Sequence, residues 1–153
     1  ADVGICNLPV EDDMLDVKPC KKIQDIFVCG HKYVNLTNKP IQLPTLMKMP
    51  LIFLEKKANS RNYVEAFFKE NGYDLSPEFE LGSHDLLLQF AKINLGIACV
   101  TKEFAQSEIS RGELFEIPLT TPIPSRHIGI VTLKTVPISH AAKKFIKLID
   151  SLA

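Results

Sequence analysis

Ser83, His84 and Asp85 stand next to one another and are the three residue types of a serine-hydrolase triad. The members of such a triad must converge on one point, whereas consecutive residues of a helix point about 100° apart. The flanking glycines of a nucleophile elbow are also missing around the serine. The sequence therefore favours a helix cap at Ser83, and a small α/β enzyme that uses His84 is kept as an alternative.

Ligands for a metal or a cofactor are not grouped in this sequence. The four histidines lie at positions 31, 84, 127 and 140, and none has the H-x-x-x-H or Cys/His spacing of a metal site. The seven glycines are isolated from one another, so neither a G-x-G-x-x-G nor a G-K-[ST] phosphate loop is present. We predict neither a metal nor a cofactor.

Small polar side chains follow two short apolar runs, at the starts of two predicted helices. Asn59 and Ser60 begin the first helix, and Ser83 and His84 begin the second. In open α/β sheets such corners lie beyond the carboxyl ends of strands, where free N–H groups and the helix dipole attract anions. We therefore expect a small anion, such as a carboxylate, to bind there, with plain helix capping as the alternative. Arg61 could pair with this anion, although an arginine in a first helical turn is more often solvated.

Apolar strands alternate with amphipathic helices along the chain and would position these side chains. Strands are predicted at residues 3–6, 23–29, 51–54, 79–81, 97–100, 114–117 and 128–133, and helices begin near 59, 83, 102 and 139. This alternation predicts a largely parallel sheet that is covered on both faces. Proline-rich links near residues 8–22 and 118–126, with an extended segment at 17–20, indicate two lobes between which the chain crosses twice.

Composition limits the class of protein. The 153 residues are 46% hydrophobic, which is enough for one compact unit with a core of its own. Eighteen Lys and Arg balance eighteen Asp and Glu, and the basic stripe of a nucleic-acid-binding domain is not visible. The longest apolar runs, such as residues 50–54, are far shorter than the ~20 residues of a membrane-spanning helix.

The cysteines indicate a reducing compartment. Cys6, Cys29 and Cys99 lie inside apolar runs and, together with Cys20, form no C-x-x-C pair, so we predict reduced core thiols and a location in the cytosol. The chain opens on a predicted strand, without Met or a signal peptide, and we expect it to be a fragment of a longer protein.

Several segments, taken in order, resemble the effector-binding domain of LysR-type transcriptional regulators. The similar segments are residues 2–5, 26–31, 50–55, 80–83 and 88–98. Segment 50–55 is followed by Arg61 and an amphipathic helix, as in the family. The last segment looks like the family's helix followed by a Gly-x-Gly-(Ile/Val) strand, with Asn94 in place of the first glycine. The resemblance covers nearly the whole chain, and the order and spacing of the motifs make it specific.

The resemblance implies a periplasmic-binding-protein-like fold, that is, a two-lobed, three-layer α/β architecture with mostly parallel sheets and an incomplete first lobe. Residues 1–17 and 117–153 would form the partial first lobe, and residues 18–116 the second lobe. Members of the family bind a small metabolite between the lobes and signal to an N-terminal helix-turn-helix domain, which this chain lacks. A transport-type solute-binding protein of the same architecture is the alternative.

The resemblance also implies site residues and partners. Asn7, Asn59, Ser60 and Ser83 take the places of polar effector contacts, with His84 as a further candidate. DNA would be bound only through the missing N-terminal domain. The full-length protein would be a cytoplasmic homodimer or tetramer without membrane contact. The expected function is the sensing of a small, anionic effector without enzymatic activity, so no catalytic residue is assigned.

Overall fold

The computed structural model describes residues 3–152 and divides them into two compact units. Unit 1 contains the described residues up to Ile23 and from Ser125 onward, and unit 2 spans Gln24–Pro124. Residues 1, 2 and 153, which belong to the predicted first lobe and its opening strand, lie outside the described residues. Among the helices that the structure describes, none is long and apolar enough to cross a membrane.

Short strands and helices alternate along the described chain. In order they are β1 (Gly4–Asn7), β2 (Leu15–Ile23), β3 (Asp25–Cys29), a 3₁₀ helix (His31–Thr37), α1 (Leu43–Met47), β4 (Leu51–Leu54), α2 (Asn59–Glu70), β5 (Phe79–Leu81), α3 (His84–Lys92), β6 (Ile97–Thr101), α4 (Lys102–Ser110), β7 (Phe115–Ile117), β8 (Arg126–Leu133) and α5 (His140–Leu152).

The two units divide later along the chain than the predicted lobes do. β2 pairs with β8 as far as Ile23, so residues 18–23 belong to unit 1, whereas the predicted second lobe begins at residue 18. Where the chain passes back to unit 1, residues 117–124 still belong to unit 2, whereas the predicted first lobe resumes at residue 117. The hydrogen bond from the amide of Ile41 to the carbonyl of Pro118 helps to hold this segment in unit 2. The assignment of the two units as first and second lobe of an effector-binding domain stays a prediction.

Unit 1 is built on a three-stranded antiparallel sheet in the order β1-β8-β2. The strands of this sheet are not joined by crossover helices, which is the reason that the expected parallel arrangement is wrong here. Helix α5 belongs to the same unit, and Lys18 of β2 forms an ion pair with Asp150 of α5.

Unit 2 contains a five-stranded mixed sheet in the order β5-β4-β6-β3-β7. β4 is parallel to β5 and to β6, and helices connect these strands in sequence, as the alternation predicted. β3 is antiparallel to both of its neighbours, β6 and β7. The expectation of a mostly parallel sheet is therefore wrong, because β3 follows β2 after a single residue and no crossover helix sets its direction.

Helices cover both faces of the sheet in unit 2. All residues of β3, β4 and β6 are buried, as expected for strands packed on both sides. One face packs against α1 and α2, where Phe27 meets Phe53 and Phe68 edge to face at 5.9 and 6.0 Å between ring centroids. The other face packs against α3 and α4 through residues such as Leu87 and Ala105. This is the predicted three-layer α/β arrangement.

Asn94 makes the turn between α3 and β6. Its φ of 64° lies in the left-handed region, where asparagine is among the few residues tolerated besides glycine. Its side-chain oxygen also accepts a hydrogen bond from the amide of Lys32 at 3.1 Å, which ties this turn to the end of β3. Asparagine can therefore stand where the resembling family has a glycine.

Burial sets the chemistry of Cys29. The side chain is enclosed in the core of unit 2, and burial raises the pKa of its thiol from 9.0 to about 11. Because the thiolate is the nucleophile, we expect iodoacetamide at about pH 8 to label half-buried Cys20 much faster than Cys29. Mass spectrometry after timed labelling measures both rates, with the urea-unfolded chain as the control. Equal rates in the native chain would contradict the burial of Cys29.

Candidate functional site

The starts of α2 and α3 lie at the same edge of the sheet in unit 2. β4 leads into α2, β5 leads into α3, and the two strands are parallel neighbours. The amide of Glu55 donates to the carbonyl of Leu81 at 2.9 Å, which links the loops that precede the two helices. The sheet thus brings two sets of free helix N–H groups to one corner, as the sequence predicted.

A pocket opens at this corner, and Ser60 and His84 both line it. The other lining residues come from the ends of β3, β4 and β6 and from α2: Asp25, Phe53, Leu54, Arg61, Val64, Cys99, Val100 and Thr101. The concavity measures about 210 Å³ with its open mouth. The ring of His84 also contacts the ring of Phe104, with 4.8 Å between centroids. Two of the predicted site residues therefore meet in one pocket.

Ser83 and Asn59 have other positions. The hydroxyl of Ser83 accepts a hydrogen bond from the amide of Leu86 at 3.3 Å, so Ser83 caps α3 as the sequence favoured. Asn59 is the first residue of α2. Neither is among the described residues that line the pocket. Their contact with an effector stays a prediction.

Asn7 belongs to unit 1, where it ends β1. Its side-chain oxygen accepts a hydrogen bond from Nη1 of Arg126 at 2.5 Å. Arg126 is buried in the same unit, so this bond fixes the orientation of the Asn7 amide. A role of Asn7 in effector binding stays a prediction.

Arg61 is buried, so the expectation that it is solvated is wrong, while its pairing with an anion stays a prediction. Its Nη1 donates to the carbonyl of Leu54 at 2.9 Å and to the carboxylate of Glu80 at 2.8 Å. Its Nε lies 3.3 Å from the carboxylate of Glu65. The side chain is buried and holds the start of α2 against the ends of β4 and β5. Arg61 therefore holds this corner of unit 2 together, and it also lines the pocket.

Asp25 and Thr101 are pocket residues that the sequence analysis missed. Both side chains are buried, and Oγ1 of Thr101 donates to Oδ1 of Asp25 at 3.4 Å. The signal that could have identified Asp25 is an acidic residue inside the apolar run 23–29, because acidic side chains are rarely buried unless they are paired. No three His, Cys, Asp or Glu side chains within residues 3–152 are arranged to hold a metal ion.

Two α/β units, one of which has a pocket at its helix starts, are the architecture of a periplasmic-binding-protein-like domain. The family model described as LysR substrate binding domain matches residues 1–153, which is the whole sequence. The chain belongs to this family, and the resemblance seen in the sequence is confirmed.

Relatives and solved structures agree with this fold. The HTH-type transcriptional activator CmpR of Synechocystis is 26% identical over 121 residues, which are 79% of this chain and 40% of CmpR. The regulatory domain of Synechocystis CcmR in complex with 2-PG superposes with a TM-score of 0.86 at 20% identity, over 99% of this chain and 73% of that chain. The effector-binding domain of QuiR in complex with shikimate superposes with a TM-score of 0.81 at 18% identity. This match covers 99% of this chain and 71% of the QuiR chain. The chain spans about 40% of the length of the curated relatives that it matches.

Proposed function

We propose that this chain is the effector-sensing domain of a LysR-type bacterial transcriptional regulator. The observation that carries the proposal is the match of the whole sequence to the LysR substrate binding domain family. The pocket at the starts of α2 and α3 supplies a place where a small molecule can be held. The molecule is sensed and released unchanged, without turnover.

The chemistry of the pocket favours a small anionic metabolite. Ser60 offers a hydroxyl and His84 an imidazole, and the first turns of α2 and α3 add backbone N–H groups that are not used within the helices. The positive ends of both helix dipoles raise the affinity for negative charge. The QuiR domain was solved with shikimate, which is a carboxylate, and this supports the same class of ligand here.

The remaining predicted residues are weaker candidates. Asn59 and Ser83 each precede a pocket-lining residue by one position, and the hydroxyl of Ser83 is already engaged as a helix cap. Asn7 is proposed as the contact from unit 1 on the resemblance alone. Substitution of Ser60 and His84 is therefore the test of the site.

The regulatory role belongs to a longer protein. The matched regions of CmpR and of YeiE from Escherichia coli, both described as HTH-type regulators, are 40% and 39% of those proteins. We propose that a helix-turn-helix domain of the parent protein binds DNA and that subunits pair as a homodimer or tetramer in the cytoplasm. The effector would favour one arrangement of the lobes and so change how paired subunits hold the DNA.

The pocket is tested by substitution of its polar side chains. A thermal-shift screen of the chain with shikimate, citrate, sulfate and inorganic phosphate first identifies a stabilising anion. We expect Ser60→Ala and His84→Ala each to weaken its binding by about tenfold, because each removes a hydrogen bond to a charged ligand. Asn59→Ala is expected to weaken binding less and to leave the fold intact. Isothermal titration calorimetry measures these affinities.

Matched controls come from exposed residues of the same types. Ser110→Ala, at the end of α4, and His127→Ala, on β8, are expected to leave the affinity unchanged. Unchanged affinity in Ser60→Ala and His84→Ala as well would remove both residues from the site. A screen in which no anion stabilises the chain would contradict the proposed function.

A further inference from the structure

A second concavity of unit 2 lies where the start of α1, the end of α2 and the segment before the return to unit 1 meet. We call it the α1–α2 concavity, and its lining consists of Gln42, Leu43, Pro44, Asn71, Tyr73, Thr120 and Thr121. It measures about 580 Å³ with its open side. The pocket described above lies at the other end of α2, a helix of 12 residues and so roughly 18 Å long.

Local sequence determines how α2 ends at this concavity. Gly72 follows Asn71 with a φ of 87°, in the left-handed region, and its amide donates to the carbonyl of Lys69 at 3.0 Å. The amide of Tyr73 donates to the carbonyl of Phe68 at 2.9 Å. These two bonds form the Schellman motif that ends many helices. The motif brings Tyr73 into the lining, where it also packs against the core of unit 2.

A short backbone ladder brings two distant segments together at the concavity. Ile41 and Leu119 form a parallel bridge, and the amide of Thr120 donates to the carbonyl of Ile41 at 2.9 Å. Gln42 follows Ile41 in the chain, and Thr121 follows Thr120. The ladder therefore sets an amide side chain and two hydroxyl side chains around one space.

The polar side chains of the concavity are uncharged and not engaged with other groups. Among the described residues that line it, none carries a charge. Within residues 3–152, the side chains of Gln42, Tyr73, Thr120 and Thr121 make no hydrogen bond, and Gln42 does not cap α1. Amide and hydroxyl groups both donate and accept hydrogen bonds. The concavity thus offers several hydrogen bonds to an uncharged ligand.

An ionised ligand gains little in this place. A carboxylate or an ammonium group needs an opposite charge to offset its loss of water, and the lining provides none. The negative end of the α2 dipole also opposes an anion. The carbonyls of Phe67, Phe68 and Lys69 at this end already accept hydrogen bonds from within the chain, so they hold a cation only weakly.

We propose that the α1–α2 concavity binds a neutral sugar. Each sugar hydroxyl both donates and accepts, and so matches the amide and hydroxyl groups of the lining. The C–H face of a sugar ring is apolar and fits against Tyr73 and Pro44, because tyrosine presents an apolar body with a polar tip. This site is separate from the pocket at the starts of α2 and α3 and does not depend on the proposed function.

Two sets of sugars that share a ring and differ in charge test the ligand class. Glucose, glucuronate and glucosamine form one set, and galactose, galacturonate and galactosamine form the other. At about pH 6 the acids are ionised and the amines protonated. Calorimetric titration of the chain measures the affinities. We expect the neutral member of at least one set to bind with a Kd of about 1 mM, about tenfold or more tighter than either charged member.

Substitutions that preserve shape test the named side chains. Tyr73→Phe removes a hydroxyl and keeps the ring packed on the core, and Thr121→Val replaces a hydroxyl by a methyl group. We expect each variant to weaken sugar binding about threefold and the double variant about tenfold, because each loses a neutral hydrogen bond. Tyr33→Phe and Thr135→Val, at positions outside the lining, are the matched controls and are expected to keep the affinity. Circular dichroism verifies the fold of every variant.

Amide chemical shifts locate the bound sugar. We expect titration with the neutral sugar to shift the amide signals of residues 42–43, 71–73 and 120–121. Shifts at the starts of α2 and α3 instead would place the sugar in the other pocket and overturn the inference. It would also be overturned if neither neutral sugar bound at about ten times the expected Kd. A charged member that binds as tightly as its neutral parent, or an affinity unchanged in the double variant, would contradict it as well. Each of these results leaves the proposed function standing.

Discussion

Replacing Arg61 by alanine is expected to lower the free energy of unfolding of unit 2 by about 3 kcal/mol. The side chain is 1% exposed, and it joins α2 to the Leu54 carbonyl of β4 and to Glu80 of β5. Its guanidinium also lies 5.4 Å from the centroid of the Phe53 ring. The substitution leaves a cavity beside that ring and a backbone carbonyl without its donor. Both effects destabilise the folded state.

The expected loss is at the low end of the range for buried ion pairs because the acidic partners are partly hydrated. The side chains of Glu80 and Glu65 are 41% and 39% exposed. Water can therefore replace much of the electrostatic interaction that the two carboxylates lose with Arg61. Arg61→Met fills most of the volume without the charge and is expected to cost about half as much. Lys57→Ala, an exposed cation just before α2, is the matched control.

Urea unfolding followed by circular dichroism measures these differences. The Lys57→Ala control is expected to change the free energy of unfolding by less than about 0.5 kcal/mol. A loss below about 1 kcal/mol in Arg61→Ala would show that the contacts of Arg61 contribute little to stability.

Local patterns in the sequence predicted most of the elements and the helix starts, although β2 lies largely in the predicted link 8–22. The run 51–54 became β4, the helix predicted from residue 59 became α2, and Ser83 caps α3. These features depend on neighbouring residues, through apolar periodicity and capping, so the sequence contains what determines them. The meeting of Ser60 and His84 in one pocket follows from the parallel pairing of β4 and β5, which the alternation of strands and helices predicted.

Features that depend on distant partners could not be predicted in this way. β3 is antiparallel to β6 and β7, which lie more than sixty residues further along the chain, so no local pattern contains this pairing. Arg61 is buried because Glu80, 19 positions away, and the Leu54 carbonyl receive its hydrogen bonds. Asp25 enters the pocket for the same reason, since Thr101 reaches it only across the sheet. Side-chain chemistry at these positions is decided by tertiary contacts.

Replacing Gly96 by alanine is expected to destabilise unit 2 by about 3 kcal/mol. A Cβ atom at this position would lie 2.5 Å from the carbonyl oxygen of Pro50 and 3.1 Å from Cγ1 of Ile52. The same Pro50 oxygen accepts the hydrogen bond from the amide of Ile97 at 2.8 Å, at the point where β6 begins to pair with β4. Backbone cannot give way as a flexible side chain does, so β6 must move away and lose this bond.

Two other glycines of unit 2 separate this steric effect from the general effect of a glycine-to-alanine change. A Cβ atom at Gly82 meets nothing within 4 Å, so Gly82→Ala is expected to be neutral or slightly stabilising, because alanine restricts the unfolded chain. Gly72 has equally open space but a φ of 87°, and Gly72→Ala is expected to cost about 1 kcal/mol through backbone strain alone. The order of losses in urea unfolding is therefore Gly96, then Gly72, then Gly82. If Gly96→Ala unfolded at the same urea concentration as Gly82→Ala, the close approach of β6 to Pro50 would not limit the stability of the sheet.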